Sequence, residues 1–190
     1  MRIGVIGGGS IGLFIAAKMS EQQHEVTLYV RSKKQAQIIQ DQQVCCLPDS
    51  KQYQVKAKQF NENTYVGDEL VFICVKQYDL EDILDKFHNF SGVLIFLQNG
   101  MGHIDLIKHH NLVNQIFIGT CEHAARKEDE ATVAHTGVGK INLSLYQGEA
   151  SLLKKYSQHL SRLNFKIEIK EDWYHLLLLN FRSLKQAGTP

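Results

Sequence analysis

Three glycines spaced G-x-G-x-x-G, at Gly7, Gly9 and Gly12, are the residues with the clearest chemical use in this 190-residue sequence. Arg2 to Ile6 before them is a short apolar run, and Ile11, Leu13, Phe14, Ala16 and Ala17 after them follow helical spacing. Strand, tight turn and helix in that order make a cradle for the diphosphate of a dinucleotide. Gly7 permits the turn, Gly9 has no Cβ to hold a phosphate away, and Gly12 lets the helix lie close to the strand. The helix start then presents unpaired N–H groups and a partial positive charge to the anion.

A second group of residues bears on which dinucleotide. The next strand, Glu25 to Val30, ends in Arg31-Ser32-Lys33-Lys34. A site for NAD usually has Asp or Glu there, holding the ribose 2′-hydroxyl. A carboxylate would repel a 2′-phosphate, whereas Arg31 can pair with it and stack on adenine. Basic residues at a helix start also oppose the helix dipole and need another reason to be there. The sequence therefore predicts NADP(H). Two further apolar runs, Leu70 to Val75 and Val93 to Leu97, end in Lys76 and in Gln98-Asn99-Gly100-Met101-Gly102.

The elements that position these residues are strands alternating with helices. After the second strand come a short helix through Ala36, Ile38 and Ile39, then short strands over 44–47 and 53–57 flanking Pro48-Asp49. The continuous apolar runs are those of strands buried on both faces. Leu80, Ile83, Leu84 and Phe87 space out one helix, and Ile104, Leu106 and Ile107 begin another. Ile116 to Gly119 is a strand leading into Thr120-Cys-Glu-His-Ala-Ala-Arg126. Strands at Thr132 to His135 and Lys140 to Leu145, a helix through Leu152 to Leu160, and a strand at Phe165 to Ile169 complete the sheet. Asp172 is placed to cap a last, strongly apolar helix, Trp173 to Gln186. The fold class expected is α/β: a Rossmann-type doubly wound, mostly parallel sheet followed by the start of a C-terminal helical region. In such sheets ligands sit outside the carboxyl ends of the strands. That gathers Gly7 to Gly12, Arg31, Lys76, Asn99 and the segment near Ala125 around one crevice.

Composition narrows the function classes. Hydrophobic residues make up 44% and charged residues 22%, with a net charge of +1, so neither a nucleic-acid nor a membrane surface is expected. No apolar run is long enough for a membrane span, and the start of the chain is a strand without the order of a signal peptide. Cys45, Cys46, Cys74 and Cys121 fit neither a zinc pattern nor C-x-x-C, and the nine histidines lack ligand spacing. No metal is expected, and the chain is expected to be cytoplasmic with reduced thiols.

Taken in order, the I-x-V-I-G-x-G-x-x-G start, Arg31, the strand ending in Lys76, Gln98 to Gly102, Gly119-Thr120 with His123-Ala124-Ala125-Arg126, and His135-Thr136-Gly137 resemble the ketopantoate reductase (2-dehydropantoate 2-reductase) family. The resemblance covers roughly Met1 to Trp173. It implies NADPH-dependent reduction of the ketone of 2-dehydropantoate to (R)-pantoate, on the way to pantothenate and coenzyme A. It further implies that Gly7, Gly8, Gly9, Ser10, Ile11 and Gly12 cradle the pyrophosphate. Arg31 would hold the 2′-phosphate and Lys76 would lie near the adenosine ribose. Asn99 would sit near the nicotinamide ribose and the substrate, and Ala125 would touch the nicotinamide end through its backbone. On this basis residues 1–170 form the NADP-binding domain, and 171–190 are a remnant of the family's helical substrate domain.

The resemblance fails at one motif. The family ends this region with W-x-K-L-x-x-N, whose Lys protonates the developing alkoxide. This chain has Trp173-Tyr-His-Leu-Leu-Leu-Leu-Asn180. Aligned on the Trp, His175 takes the Lys position and is the candidate general acid; aligned on the Asn, Leu176 takes it, with Asn180 a substrate-side residue. The alternative function is accordingly a truncated or diverged NADP(H)-binding module without reductase activity. The apolar last helix needs a partner surface, either the sheet domain or a second copy of the chain in a homodimer.

Overall fold

The structure, a computed structural model, describes residues 1–60 and 67–187, with side chains as far as Asn180. Its elements in chain order are β1 (Arg2–Ile6), α1 (Ser10–Glu21), β2 (Glu25–Val30), α2 (Lys33–Gln42), β3 (Val44–Leu47), β4 (Lys51–Tyr53), β5 (Lys56–Gln59) and β6 (Leu70–Ile73). There follow α3 (Glu81–Leu84), β7 (Val93–Phe96), α4 (Gly102–His109), β8 (Gln115–Cys121), β9 (Ala124–Lys127) and β10 (Thr132–Gly137). The chain continues through β11 (Lys140–Gln147), α5 (Ala150–Leu160), β12 (Lys166–Ile169) and α6 (Trp173–Ala187).

An eight-stranded sheet runs β5-β2-β1-β6-β7-β8-β11-β12. Its pairings are parallel except that β11 runs antiparallel to β8. The chain goes from β1 to β2 on one side and later returns to β6 on the other, so the order reverses between β1 and β6. That is the switch point at which doubly wound sheets open a crevice. β6 and β7 are buried along their whole length, as strands covered on both faces must be.

Helix α1 is buried from Gly12 to Ala17 and again at Met19, because it is covered on both sides. It packs on β1 and β2 on one side and on β3, β9 and β10 on the other. The latter belong to a four-stranded sheet ordered β4-β3-β10-β9. Leu13, Phe14, Ile15 and Met19 are wholly buried there, each stabilising the fold by about 1.5–3 kcal/mol. A second core lies across the large sheet, where Ile73, Leu84, Phe96, Ile104 and Leu177 meet.

Some sequence expectations are corrected. The single strand expected over 53–57 is two strands in different sheets, β4 and β5. Between them the Val55 amide donates to Gln43 Oε1 at 2.9 Å, so the chain crosses from one sheet to the other. The helix expected around Leu80 to Phe87 is one turn, α3, between two 3₁₀ turns at Gln77–Asp79 and Asp85–Phe87. β9 was not expected as a strand, since Ala-Ala-Arg-Lys has no apolar alternation; its partner β10 creates it. The cap at Asp172 is present, its Oδ1 accepting from the amides of Tyr174 and His175 at 2.8 and 3.2 Å.

Candidate functional site

The glycine turn leaves the end of β1 at the switch point. Gly7 has φ +114°, and a Cβ there would lie 3.0 Å from the Cys74 carbonyl carbon and the Val75 nitrogen at the end of β6. A Cβ on Gly12 would overlap the Gly7 carbonyl oxygen, whereas one on Gly9 would meet nothing within 4 Å. The turn is thus closed at Gly7 and Gly12 and open at Gly9. Gly9 is also the N-cap of α1, with no side-chain cap and no acidic residue in the first turn. The first N–H groups of a helix have no intrahelical partner, and those of α1 follow directly on Gly9. This start of α1 fits an anion with an extended phosphate backbone. The turn is tied down from α2: Gln35 Nε2 donates to the Gly8 carbonyl at 2.8 Å and to that of Glu130 at 3.0 Å.

Arg31 follows β2 with its side chain 91% exposed. Its guanidinium reaches Asp79 at 3.5 Å, in the 3₁₀ turn after β6. β2 and β6 flank β1, so this pair spans the end of β1 on the side of the glycine turn. Lys76 begins the same 3₁₀ turn, its Nζ 5.8 Å from the centre of the exposed Tyr78 ring.

Asn99 is exposed just beyond β7. The buried Gln98 before it donates from Nε2 to the carbonyls of Ile73 and Val75, both at 3.0 Å, locking the exit of β7 to that of β6. Asn99 in turn meets the last helix: Asn180 Nδ2 donates to Asn99 Oδ1 at 3.3 Å. Helix α6 packs on β8 and β11. Trp173, Leu176, Leu177 and Asn180 share one face by their spacing, and Leu176 and Leu177 are buried. Leu176 is one turn before Asn180 on that face. His175 is exposed and lies about 140° around the helix from Asn180. The structure therefore brings Asn99 and Asn180 together and leaves His175 away from them.

Ala125 lies on β9, opposite His135 on β10, in the small sheet that packs on α1. It is on the helix side of the glycine turn rather than at a strand end of the large sheet. Beside it, buried His123 accepts from the Gly139 amide at Nδ1, 3.1 Å, with His135 Nε2 3.2 Å from the same nitrogen. Nδ1 of His123 is therefore an acceptor for the Gly139 amide, and a proton there would break that bond. Burial holds His123 at about 4, followed by repulsion from His135 and Lys18. Burial alone holds the fully buried His103 of α4 at about 4. Both pKa values are lowered in the folded chain, so the stability they contribute is present above about 6.5 and is lost as pH falls towards 4. We expect each to cost roughly 1–2 kcal/mol at pH 5 relative to pH 7.5, read as a falling urea midpoint. His103→Phe should flatten that pH dependence.

Gln35 and Asp79 act on the site without a signal in the sequence, and Gln98 is marked there only as the start of the run to Gly102, with no role of its own. A lone glutamine carries no motif, and Asp79 gains meaning only from facing Arg31. The four cysteines are free, and among the described residues no cluster of three His, Cys, Asp or Glu side chains could hold a metal. No described helix is long and apolar enough to cross a membrane. An open groove of about 660 Å³ borders Ser20, His24, Tyr53 and Lys56, at the far end of α1 from the glycines.

Residues 3–148 match the family model described as ketopantoate reductase PanE/ApbA. The chain belongs to the ketopantoate reductase family. It is 33% identical over 181 residues to the 2-dehydropantoate 2-reductase of Bacillus subtilis, covering 93% of this chain and 59% of that protein. It is 30% identical over 154 residues to that of Listeria innocua, covering 78% and 51%. The chain thus spans little more than half the length of these family members. The crystal structure of a probable 2-dehydropantoate 2-reductase from Bacillus subtilis superposes with a TM-score of 0.83 at 32% identity, over 94% of this chain and 61% of that one. D-mandelate dehydrogenase, solved with NADH, shares the fold at a TM-score of 0.82 and 20% identity, over 95% and 59%.

Proposed function

We propose that this chain provides the NADPH-binding and ketone-facing half of a 2-dehydropantoate 2-reductase, giving (R)-pantoate for pantothenate and coenzyme A synthesis. The observation that carries the cofactor part is the glycine turn at the β1–β6 switch point, closed at Gly12 and open at Gly9. The names of the relatives support the substrate. A reduced nicotinamide, when bound, supplies hydride to the carbonyl carbon. The protein's part is to hold and orient. The start of α1, with Gly7 to Gly12, neutralises the pyrophosphate, and Arg31 selects the 2′-phosphate, with Lys76 beside the adenosine ribose. Asn99, held by Gln98 and joined to Asn180, orients the nicotinamide ribose and the keto group, and the Ala125 backbone borders the nicotinamide end. As the carbonyl oxygen gains negative charge it needs hydrogen-bond donors and then a proton; the amides of Asn99 and Asn180 are suited to the first task.

Arg31→Ala tests the cofactor reading. Losing charge-assisted hydrogen bonds to the 2′-phosphate should weaken NADPH binding about 10- to 100-fold, and NADH by no more than about twofold. Fluorescence titration of both cofactors reads the difference. Equal losses would overturn the role of Arg31.

A further inference from the structure

Arg31 has a partner already, and it carries the wrong charge for an accessory to phosphate binding. Asp79 Oδ1 is 3.5 Å from Arg31 Nη1, at a separation of 48 residues. The two approach from opposite sides of β1, Arg31 after β2 and Asp79 from the 3₁₀ turn after β6. The contact is single and long, without the parallel two-bond geometry of a strong arginine–carboxylate pair. Arg31 is 91% exposed and Asp79 36%, so the pair itself adds little stability. A phosphate bound to Arg31 would therefore displace this contact and then sit beside a carboxylate. A ribose 2′-hydroxyl in the same place could instead donate a hydrogen bond to that carboxylate, the interaction that favours NADH.

We propose that Asp79 is a specificity-determining residue that opposes Arg31: it competes with the 2′-phosphate for the guanidinium and lowers the preference for NADPH over NADH. The inference rests on the reading of Arg31 as the 2′-phosphate ligand. The carboxylate carries one negative charge and the phosphate between one and two. Such charges about 4 Å apart repel by about a factor of five in binding even at the dielectric of water.

The test is equilibrium titration of the 190-residue chain and its Asp79→Asn, Arg31→Ala and doubly substituted forms with NADPH and NADH, at low and high salt. Asp79→Asn keeps the shape of an exposed side chain, and circular dichroism checks the fold. It should tighten NADPH about fivefold or more, leave NADH unchanged or slightly weaker, and lose part of this gain in high salt. Asp79→Ala should move the NADPH to NADH ratio in the same direction. A ratio that Asp79→Asn leaves unchanged or lowers, in a chain whose NADPH preference still vanishes in Arg31→Ala, would overturn the role of Asp79 alone. A chain that binds neither cofactor, or whose preference Arg31→Ala does not alter, would overturn the cofactor reading beneath it.

Discussion

Replacing Gly12 by alanine is expected to destabilise the chain by about 3 kcal/mol, whereas the same change at Gly9 should leave stability within about 0.5 kcal/mol. The two positions are three residues apart in one turn, yet their surroundings differ. At Gly12 the new methyl would collide with the carbonyl oxygen of Gly7, backbone that is itself fixed by the Gly7 amide donating to Tyr29 O at 2.9 Å. Relief requires moving α1 away from β1, and α1 is pinned between two sheets. For a chain of this size 3 kcal/mol is a fall of roughly 6–12 °C in Tm. At Gly9 the methyl enters open space, which is where we place the pyrophosphate. Gly9→Ala should therefore weaken both NADPH and NADH by about 10-fold or more while the melting curve stays in place. A Gly9→Ala chain that binds both cofactors normally would remove the pyrophosphate from that position.

Leu176→Lys is expected to raise turnover of 2-dehydropantoate by about 100-fold or more over the unsubstituted chain, the range of one positioned general acid. His175→Lys should leave it within about twofold. The family's motif puts a lysine near this point, and residue counting alone left two alignments. Helix geometry separates them. Leu176 is on the face that carries Asn180 to Asn99, and His175 is exposed on another face. Only a lysine at 176 could deliver a proton where Asn99 and Asn180 converge. Leu176 is buried, so the ammonium would be partly desolvated and its pKa lowered towards the useful range. NADPH oxidation followed by absorbance reads the result, with a thermal melt to show that each variant folds. Equal rates for the two variants would place the reacting ketone elsewhere. His175→Ala should likewise change nothing, which tests the expectation that His175 is the general acid.

Much of the fold was legible because its signals are local. Continuous apolar runs at Leu70 and Val93 must be strands buried on both faces, and the glycine spacing after β1 leaves little choice but a tight turn into a helix. Those features also carried the family resemblance, through Arg31, Lys76 and Asn99 at strand ends. The small sheet was only partly legible. β9 has no pattern of its own, and the run over 53–57 divides because its two halves pair with different strands.

What the sequence determined by itself is the glycine turn after the first strand and the order in which Arg31, Lys76 and Asn99 follow later strands, since the composition of those runs dictates their burial. Only the tertiary structure decided how they face one another. Gln35 and Gln98 became the ties that hold Gly8 and Asn99 when distant backbone carbonyls came within reach of their amides. Asp79 came within 3.5 Å of Arg31, and the packing of α6 on the large sheet brought Asn180 to Asn99. These are relations of direction and distance between segments far apart in the chain, and residue type and spacing do not encode them.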